Sequence, residues 1–111
     1  MVNNFLNTYE LTGNILEPCA GNGNIVSAIK NKYPNTNITS VEIREEEREN
    51  LQQYGNVYIS DFLKWQPDKE YNTMISNPPY SIAQDIIEQC FEISTHTHTN
   101  HYVVKTCVLG E

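Results

Sequence analysis

The chain has 111 residues, the size of a single domain. Its composition, with 39% hydrophobic and 19% charged residues, is typical of a globular protein, and no apolar stretch has the length of a membrane span. Seven basic against fourteen acidic residues give a formal net charge of −7, which counts against tight, unaided binding to DNA or RNA.

The cysteines and the N-terminus indicate the cellular compartment. Cys19, Cys90 and Cys107 are odd in number and widely spaced, without a C-x-x-C pair. This pattern favours reduced thiols over a disulfide framework or a zinc knuckle. The first five residues contain no basic region followed by an apolar stretch, so no secretory signal is expected. We therefore predict a cytoplasmic protein.

Strand-like and helix-like segments alternate along the chain. Apolar runs predict five strands, at residues 14–16, 38–43, 57–60, 71–76 and 101–109. Helical spacing of apolar residues predicts three helices, at residues 24–33, 45–54 and 81–93, the last with a capping box formed by Ser81 and Gln84. Such alternation predicts an α/β fold, with an open, mainly parallel sheet of about five strands and helices on both faces.

A glycine-containing turn, residues 17–23, follows the first predicted strand. Gly21 and Gly23 allow the backbone to adopt positive φ and to approach a ligand closely. Val26 stands where a dinucleotide fingerprint has its third glycine, and no Gly-Lys-Ser/Thr run indicates a phosphate-binding loop. Glu17, just ahead of the turn, would repel a pyrophosphate, so the turn favours a ligand with a cationic group.

Acidic residues also close the second and third strands. Glu42 lies 21 residues after Gly21, the spacing at which a carboxylate reaches ribose hydroxyls in folds of this kind. Asp61 offers a carboxylate for an exocyclic amine, and Phe62 offers a ring edge for a purine. Each acid alone is more often a surface residue, and the acidic run at residues 42–49 is interpreted as a solvated helix face. Three acids at the ends of successive strands nevertheless indicate a shared ligand site.

The sequence Asn77-Pro78-Pro79-Tyr80 is the most informative motif. Two consecutive prolines remove two N–H donors and fix two φ angles, so the fourth strand cannot continue through them. The result is a stiff turn at the C-terminal end of a strand, where ligands bind in open α/β sheets. Its amide, carbonyl oxygens and phenol suit a flat, nitrogen-bearing substrate that donates hydrogen bonds and stacks.

Taken in order, residues 16–23, Glu42, Asp61-Phe62 and Asn77-Pro78-Pro79-Tyr80 resemble the motif series of the S-adenosylmethionine-dependent N6-adenine DNA methyltransferases. The resemblance implies a Rossmann-like class I methyltransferase core that lacks the last strands, the N-terminal cofactor segment and the usually basic target-recognition region. It implies S-adenosylmethionine as the cofactor, adenine in DNA as the target, and no metal. A second copy or a partner chain is expected at the open edge of the sheet.

The resemblance also assigns residues to the cofactor. The implied cofactor-binding residues are Glu17, Pro18, Ala20, Gly21, Gly23, Glu42, Ile43, Asp61 and Phe62. The two glycines would pass beneath the methionine part, and Glu17 would lie near its amino group. Glu42 would bind the ribose hydroxyls. Asp61 would hold the adenine amine beside the ring of Phe62.

The implied catalytic residues are Asn77, Pro78, Pro79 and Tyr80. Asn77 and the Pro78 carbonyl would accept hydrogen bonds from the target amino group, and Tyr80 would stack on the flipped base. Two other functions stay open. The same motif serves methyltransferases that act on RNA bases or protein glutamine, and an acidic chain without a recognition region could be a non-catalytic cofactor-binding remnant or partner subunit.

Two further features have less specific interpretations. Three histidines within residues 96–101 could hold a metal, but their position between a predicted helix and a predicted strand favours a polar loop. Trp65 lies in a loop of the kind that sometimes covers a cofactor, and it is more often a partly buried edge anchor.

Overall fold

The fold is that of a computed structural model, which describes residues 11–67, 69–96 and 103–104. The strands are β1 (Asn14–Glu17), β2 (Asn37–Glu42), β3 (Asn56–Ile59), β4 (Thr73–Met74) and β5 (Val103–Val104). The α-helices are α1 (Asn24–Lys32), α2 (Arg48–Gln52) and α3 (Tyr80–His96). Short 3-10 turns span Glu45–Glu47 and Phe62–Lys64.

The strands form one sheet in the order β3-β2-β1-β4-β5, and every neighbouring pair is parallel. The central strand, β1, pairs with β2 on one side and with β4 on the other. The order of strands therefore reverses between β1 and β4, which makes this position the topological switch point of the sheet. The predicted open, parallel α/β sheet of about five strands is confirmed.

A hydrophobic core lies on each face of the sheet, because successive residues of a strand point to opposite sides. On one face, Ile15 packs with Val26 of α1 and Leu51 of α2. On the other face, Leu16 packs with Ile86 of α3. All five side chains are at most 2% exposed, and each contributes roughly 1.5–3 kcal/mol by leaving water. The prediction of helices on both faces is confirmed.

The fourth strand is shorter than its apolar run predicted, although its pairing extends further. Thr73 and Met74 alone form β4. The Asn72 amide donates to the Asn14 carbonyl at 2.8 Å, and the Ile75 amide donates to the Leu16 carbonyl at 3.0 Å, one residue beyond each end. The chain thus stays in register with β1 almost to the proline turn.

The predicted helix at residues 45–54 is split into the 3-10 turn Glu45–Glu47 and the five-residue helix α2. The turn buries no side chain, and Leu51 is the buried residue of α2. A segment with so little apolar surface gains little from packing as a regular helix, and short helices are marginal on their own.

The capping box at Ser81 was predicted wrongly. Helix α3 begins at Tyr80, and the Pro79 carbonyl accepts the first hydrogen bond from the Ile82 amide at 3.1 Å. The Gln84 side chain points away from Ser81: its Nε2 donates to Glu88 Oε2, one turn further along the helix, at 3.1 Å. Consecutive prolines, with φ fixed near the helical value, start the helix one residue earlier than the side-chain pattern suggested.

The C-terminal predictions are tested only in part. Helix α3 continues to His96, three residues past the predicted end, so the first residue of the histidine segment is helical and not in a loop. Val103 and Val104 pair in parallel with β4, as a fifth strand should. The rest of the predicted strand at residues 101–109 lies outside the described residues.

Candidate functional site

The carboxyl ends of the strands form one edge of the sheet. Strand β1 ends at Glu17 and β2 at Glu42, while Asp61 follows β3 by two residues and Asn77 follows the β4 pairing. In open α/β sheets, ligands bind at this edge beside the topological switch point. The fold therefore places the strand-end residues of the predicted site along a single edge.

The loop between β1 and α1 is held against β2 through its backbone. The Ala20 amide donates to the Val41 carbonyl at 3.1 Å, and the Gly23 amide donates to the Ala20 carbonyl at 3.0 Å. Gly21 and Gly23 have positive φ angles of 56° and 89°, which residues with a side chain rarely adopt. The requirement for glycine at both positions thus follows from the path of the loop.

The two glycines differ in what a side chain would meet. A Cβ on Gly23 would lie 3.2 Å from Leu51 Cδ2 and 3.4 Å from Tyr54 Cε2, so this glycine lets the loop pack closely on the α2 segment. Among the described residues, a Cβ on Gly21 would meet only Arg44 Nη2, at 4.0 Å. Gly21 is therefore the open position of the loop, and the glycine spacing alone could not distinguish the two.

Glu17 is a buried carboxyl group. It is 1% exposed, and its Oε2 accepts from the Cys19 amide at 2.9 Å. Burial raises its pKa to about 8; the charge of Glu42 adds to the rise, while the Cys19 amide and the nearby Ser76 hydroxyl oppose it. Ser76 Oγ is itself buried and makes no hydrogen bond of standard geometry among the described residues. At neutral pH, Glu17 is therefore mostly protonated.

Glu42 has the opposite environment, although it is only 5% exposed. Its Oε1 accepts from the Gly21 amide at 2.8 Å. Its Oε2 accepts from the Arg44 amide at 3.0 Å and from Arg44 Nε at 2.9 Å. Burial alone would raise the pKa of Glu42, but the hydrogen bonds from Arg44 and Gly21 outweigh it and lower the pKa. This carboxylate is ionised at neutral pH.

A cleft of about 100 Å³ opens beside Glu42. Residues from the ends of β1, β2 and β3 and from the first turns of α3 line it: Pro18, Cys19, Val41, Glu42, Ile43, Ser60, Asp61, Phe62, Ile82 and Ile86. Ile43 is 66% exposed, so it offers a large apolar surface at the site. Of the predicted cofactor residues, Glu17, Ala20, Gly21 and Gly23 are outside this lining.

Asp61 and Phe62 are held by the 3-10 turn that follows β3. Asp61 Oδ1 accepts from the Leu63 amide at 3.0 Å, and its Oδ2 has no hydrogen bond among the described residues. Phe62 is 3% exposed and stacks on Trp65 with ring centroids 6.0 Å apart. Trp65 is itself 7% exposed, so it is a core residue rather than a partly buried edge anchor.

The Asn77-Pro78-Pro79-Tyr80 turn connects the β4 pairing to α3. Asn77 is exposed and Pro78 is buried. The Pro79 carbonyl is used by the helix, whereas the Pro78 carbonyl accepts no hydrogen bond within the described part of the chain. The turn thus retains one free proline carbonyl beside an exposed amide, while the side chain of Tyr80 lies outside the described residues.

Sequence reasoning missed several residues of the cleft: Cys19, Val41, Ser60, Ile82 and Ile86. Ile82 and Ile86 lie in the first turns of α3, and Ile86 is also a core residue at 2% exposure. A usable signal was present, since a helix that begins directly after a strand end must pass its first turns along the ligand edge.

The described residues also bear on metals and membranes. Within them, no three histidine, cysteine, aspartate or glutamate side chains are grouped as metal ligands would be. His98 and His101 lie outside the described residues, so the interpretation of their segment stays a prediction. Cys19 and Cys90 are free thiols. No helix in the described ranges is long and apolar enough to cross a bilayer.

Comparison with known proteins identifies relatives for most of the chain. Over 69 residues it is 36% identical to the Type II methyltransferase M.CvrRI of Paramecium bursaria Chlorella virus XZ-6E, a match that covers 60% of this chain and 18% of that protein. Over 87 residues it is 31% identical to the Malonyl-[acyl-carrier protein] O-methyltransferase 2 of Ilyobacter polytropus, which covers 73% of this chain and 34% of that protein. The chain thus spans well under half the length of either curated relative.

Solved structures share the fold. The 23S rRNA methyltransferase ErmE superposes with a TM-score of 0.67 at 23% identity, over 91% of this chain and 41% of that chain. Streptomyces venezuelae DesVI superposes with a TM-score of 0.64 at 10% identity, over 96% and 49%. At these identities the likeness concerns the fold alone. Residues 1–100 also match the family described as the methyltransferase small domain, and the chain therefore belongs to that family.

Proposed function

We propose that this chain is a domain that binds S-adenosylmethionine and transfers its methyl group to the N6 amino group of adenine in DNA. One observation carries the proposal. Glu42, Asp61 and Phe62 converge on one cleft, at the same edge of the sheet as Asn77 and Pro78. A nucleoside-binding cleft beside a turn with free hydrogen-bond acceptors is the arrangement that methylation of a base amine requires.

The cleft has the chemistry needed for the adenosine part of the cofactor. Ile43 is exposed and Phe62 also lines the cleft, so a planar ring bound there would contact apolar side chains. Asp61 Oδ2 is available to accept from an exocyclic amine, and Glu42 is ionised for ribose hydroxyls. A volume of about 100 Å³ is smaller than typical ligand clefts of roughly 300–1,000 Å³. The cleft therefore suits one end of the cofactor.

Glu17 is the residue best suited to the amino group at the other end. It closes β1, the central strand, at the switch point. Its buried carboxyl has a pKa of about 8, so an ammonium group bound beside it would favour loss of the proton and formation of an ion pair. Gly21, the open position of the loop, would leave room for the chain that joins the two ends.

The catalytic task falls to Asn77 and Pro78. S-adenosylmethionine supplies a methyl group on a sulfonium sulfur, which leaves as a neutral thioether. The lone pair of an exocyclic amine is delocalised into its ring, so the nitrogen is a poor nucleophile. Acceptors at Asn77 Oδ1 and the Pro78 carbonyl would hold the amine hydrogens out of the ring plane and stabilise the positive charge that develops on nitrogen. The extra proton then passes to solvent.

DNA is the substrate that the comparisons favour. The 36% identical relative is named as a Type II methyltransferase, and enzymes that modify a base within a duplex must first flip it out. RNA is the second candidate, because ErmE, with a TM-score of 0.67, is named as a 23S rRNA methyltransferase. The net charge of −7 implies weak binding of either polymer without a further basic segment or partner chain.

Calorimetric titration of S-adenosylmethionine into the full chain tests the cofactor half of the proposal. The wild type is expected to bind, Glu42→Ala to lose binding, and Glu49→Ala to bind like the wild type, since Glu49 is an exposed acid on α2. Circular dichroism confirms that each variant is folded. No binding by the folded wild type would refute the proposal.

Turnover is tested with S-adenosylmethionine labelled in its methyl group. Label is expected in adenine-containing DNA duplexes and single strands, and not in matched RNA or in glutamine peptides. Asn77→Ala should abolish transfer while it preserves cofactor binding. Transfer to RNA alone would establish the second candidate, and binding without transfer to any of these substrates would indicate a non-catalytic module.

A further inference from the structure

The strongest unexplained contact in the site is the one that Arg44 makes with Glu42. Arg44 Nε lies 2.9 Å from Glu42 Oε2, and the Arg44 amide donates to the same oxygen at 3.0 Å. Arg44 Nη2 also lies 3.5 Å from Glu47 Oε2. Among the described residues, Arg44 Nη2 is the nearest group to the open face of Gly21, at 4.0 Å from the position of a Cβ. The guanidinium therefore binds Glu42 directly and borders the open face of Gly21 without filling it.

This contact leaves Glu42 with too few acceptor positions for a diol. A carboxylate offers about four acceptor positions on its two oxygens. Three hydrogen bonds already reach Glu42, from the Gly21 amide, the Arg44 amide and Arg44 Nε. A ribose diol, which brings two donors, therefore cannot be bound in full while Arg44 Nε stays in place.

We infer that the Arg44 side chain competes with the ligand for Glu42 and so acts as a latch. It occupies Glu42 in the ligand-free chain and must leave before a ribose diol can bind there. The inference rests on the proposed function for the identity of the ligand. The contact itself exists without any ligand, so the two can be tested separately.

The latch is built to move while the carboxylate stays in place. The Gly21 and Arg44 amides hold Glu42 through the backbone, so its orientation does not depend on the guanidinium. Arg44 is 48% exposed, and contacts of such exposed side chains are weak and screened by salt. Glu47 remains available as a partner when Nε leaves. Displacement therefore leaves Arg44 paired with Glu47, while the ribose hydroxyls take its place as donors to Glu42.

The Arg44 contact also stabilises the ligand-free protein. An ionised carboxylate that is only 5% exposed and has no counter-ion would destabilise the folded chain. Arg44 supplies that counter-ion until the ligand supplies hydroxyl donors. Its removal should therefore make the ligand-free protein less stable and ligand binding tighter, whereas a residue with a purely structural role would weaken both.

The first experiment examines the contact without ligand, by NMR of the arginine Nε–H groups in the full chain. The Arg44 signal is expected to move with the ionisation of Glu42 and to shift in the Glu42→Gln variant. The Arg48 signal should not shift in the Glu42→Gln variant, because Arg48 pairs with Glu45 instead, with Nη2 2.9 Å from Oε1. An Arg44 signal that ignores Glu42 would overturn the latch, whatever the chain binds.

The second experiment titrates adenosine, a neutral probe, into the wild type and the variants. Arg44→Ala should bind adenosine roughly two- to fivefold more tightly, as expected for loss of a competing surface contact. Binding of 2′,3′-dideoxyadenosine, which lacks the diol, should not change. The control Arg48→Ala removes an equal charge from the same segment and should bind both probes like the wild type.

Each outcome of the titration decides one of the two claims. If the wild type binds adenosine and folded Arg44→Ala binds it equally or more weakly, the latch is overturned and the cofactor site stands. If neither adenosine nor S-adenosylmethionine binds to any folded variant, the proposed function fails, and the NMR result alone judges the latch. Arg44→Gln replaces Arg44→Ala if the latter does not fold.

Discussion

The ends of β1 and β2 lie side by side, and each is closed by a buried glutamate, yet the two sites are opposites. Glu17 is 1% exposed, and its pKa is raised to about 8, chiefly by burial. Glu42 is 5% exposed, and its pKa is lowered by hydrogen bonds that outweigh burial. At neutral pH one carboxyl is mostly neutral and the other is ionised.

The difference lies both in burial, which is deeper for Glu17, and in the donors that each carboxyl receives. Glu17 receives one amide hydrogen bond, from Cys19. Glu42 receives two amides and a guanidinium, from Gly21 and Arg44. Hydrogen bonds and an adjacent cation stabilise the ionised form, whereas burial alone destabilises it. Two acids at equivalent strand ends can therefore serve different parts of one ligand. One is an ionised carboxylate at neutral pH, and the other is a carboxyl group that is protonated until a cation binds beside it.

The largest expected effect comes from removing the titratable carboxyl of Glu17 with Glu17→Gln. Its folded pKa of about 8 exceeds the ordinary value of 4.5, so Glu17 contributes most stability below pH 4.5 and loses it as the pH rises through 8. Between pH 4.5 and 8, ionisation of this residue in the unfolded chain lowers the free energy of unfolding by up to about 1.4 kcal/mol per pH unit. Glutamine mimics the protonated acid and carries no such slope.

Urea unfolding of the wild type and Glu17→Gln between pH 4.5 and 8.5 measures this effect. The variant is expected to show the flatter profile and to be the more stable protein at pH 8. Parallel profiles for the two proteins would mean that Glu17 is ionised across this pH range. Glu17 and Glu42 would then carry the same charge at neutral pH, contrary to the difference described above.

The next largest effect concerns the loop between β1 and α1, whose backbone is hydrogen-bonded to the end of β2. Gly23→Ala and Gly21→Ala both place a side chain at positive φ, at a cost of about 1–2 kcal/mol. Gly23→Ala should cost roughly 1 kcal/mol more, because its Cβ would press on Leu51 Cδ2 at 3.2 Å. Urea unfolding at pH 7 compares them, and a larger loss for Gly21→Ala would contradict the open face assigned to that residue.

Glu42→Gln should change the pH dependence in the opposite direction to Glu17→Gln. Because the folded pKa of Glu42 is lowered, its stabilising contribution is present above the ordinary value of 4.5 and is lost as the pH falls through the folded value. The variant should lose roughly 1 kcal/mol or less at pH 7 and a smaller amount at pH 3. Thermal unfolding at both pH values measures the change; an equal loss at both would indicate a packing effect.

The sequence was sufficient for the architecture. Strand–helix alternation predicted the parallel sheet, and acids at strand ends were predicted to lie along one edge of it, because parallel strands bring their carboxyl ends together. The stiff proline turn was also predictable, since two adjacent prolines cannot continue a paired strand. These features depend on the local chemistry of neighbouring residues and on the spacing of apolar residues, both of which can be read from a single sequence.

The charge states of the site could not be predicted from the sequence. The acidic run at residues 42–49 was interpreted as a solvated helix face, but Arg44 turns back onto buried Glu42, two residues before it. The burial of Glu17 depends on packing between β1, β4 and α3, which brings Ser76 and Cys90 close enough to affect or respond to its charge. Such contacts cross 59 or more residues of sequence and have no local signature.

The smallest expected effect, and the sharpest test of the contrast, is that of Ser76→Ala. The Ser76 hydroxyl is fully buried, has no standard hydrogen bond among the described residues, and opposes the rise in the pKa of Glu17. Its removal deletes an unsatisfied polar group, so stability at pH 5 should stay within about 1 kcal/mol of the wild type. The pKa of Glu17 should rise further, because the ionised form loses a stabilising neighbour. Carbon-13 NMR titration of the Glu17 carboxyl measures this directly, and an unchanged or lower pKa would show that the Ser76 hydroxyl does not stabilise the ionised form of Glu17.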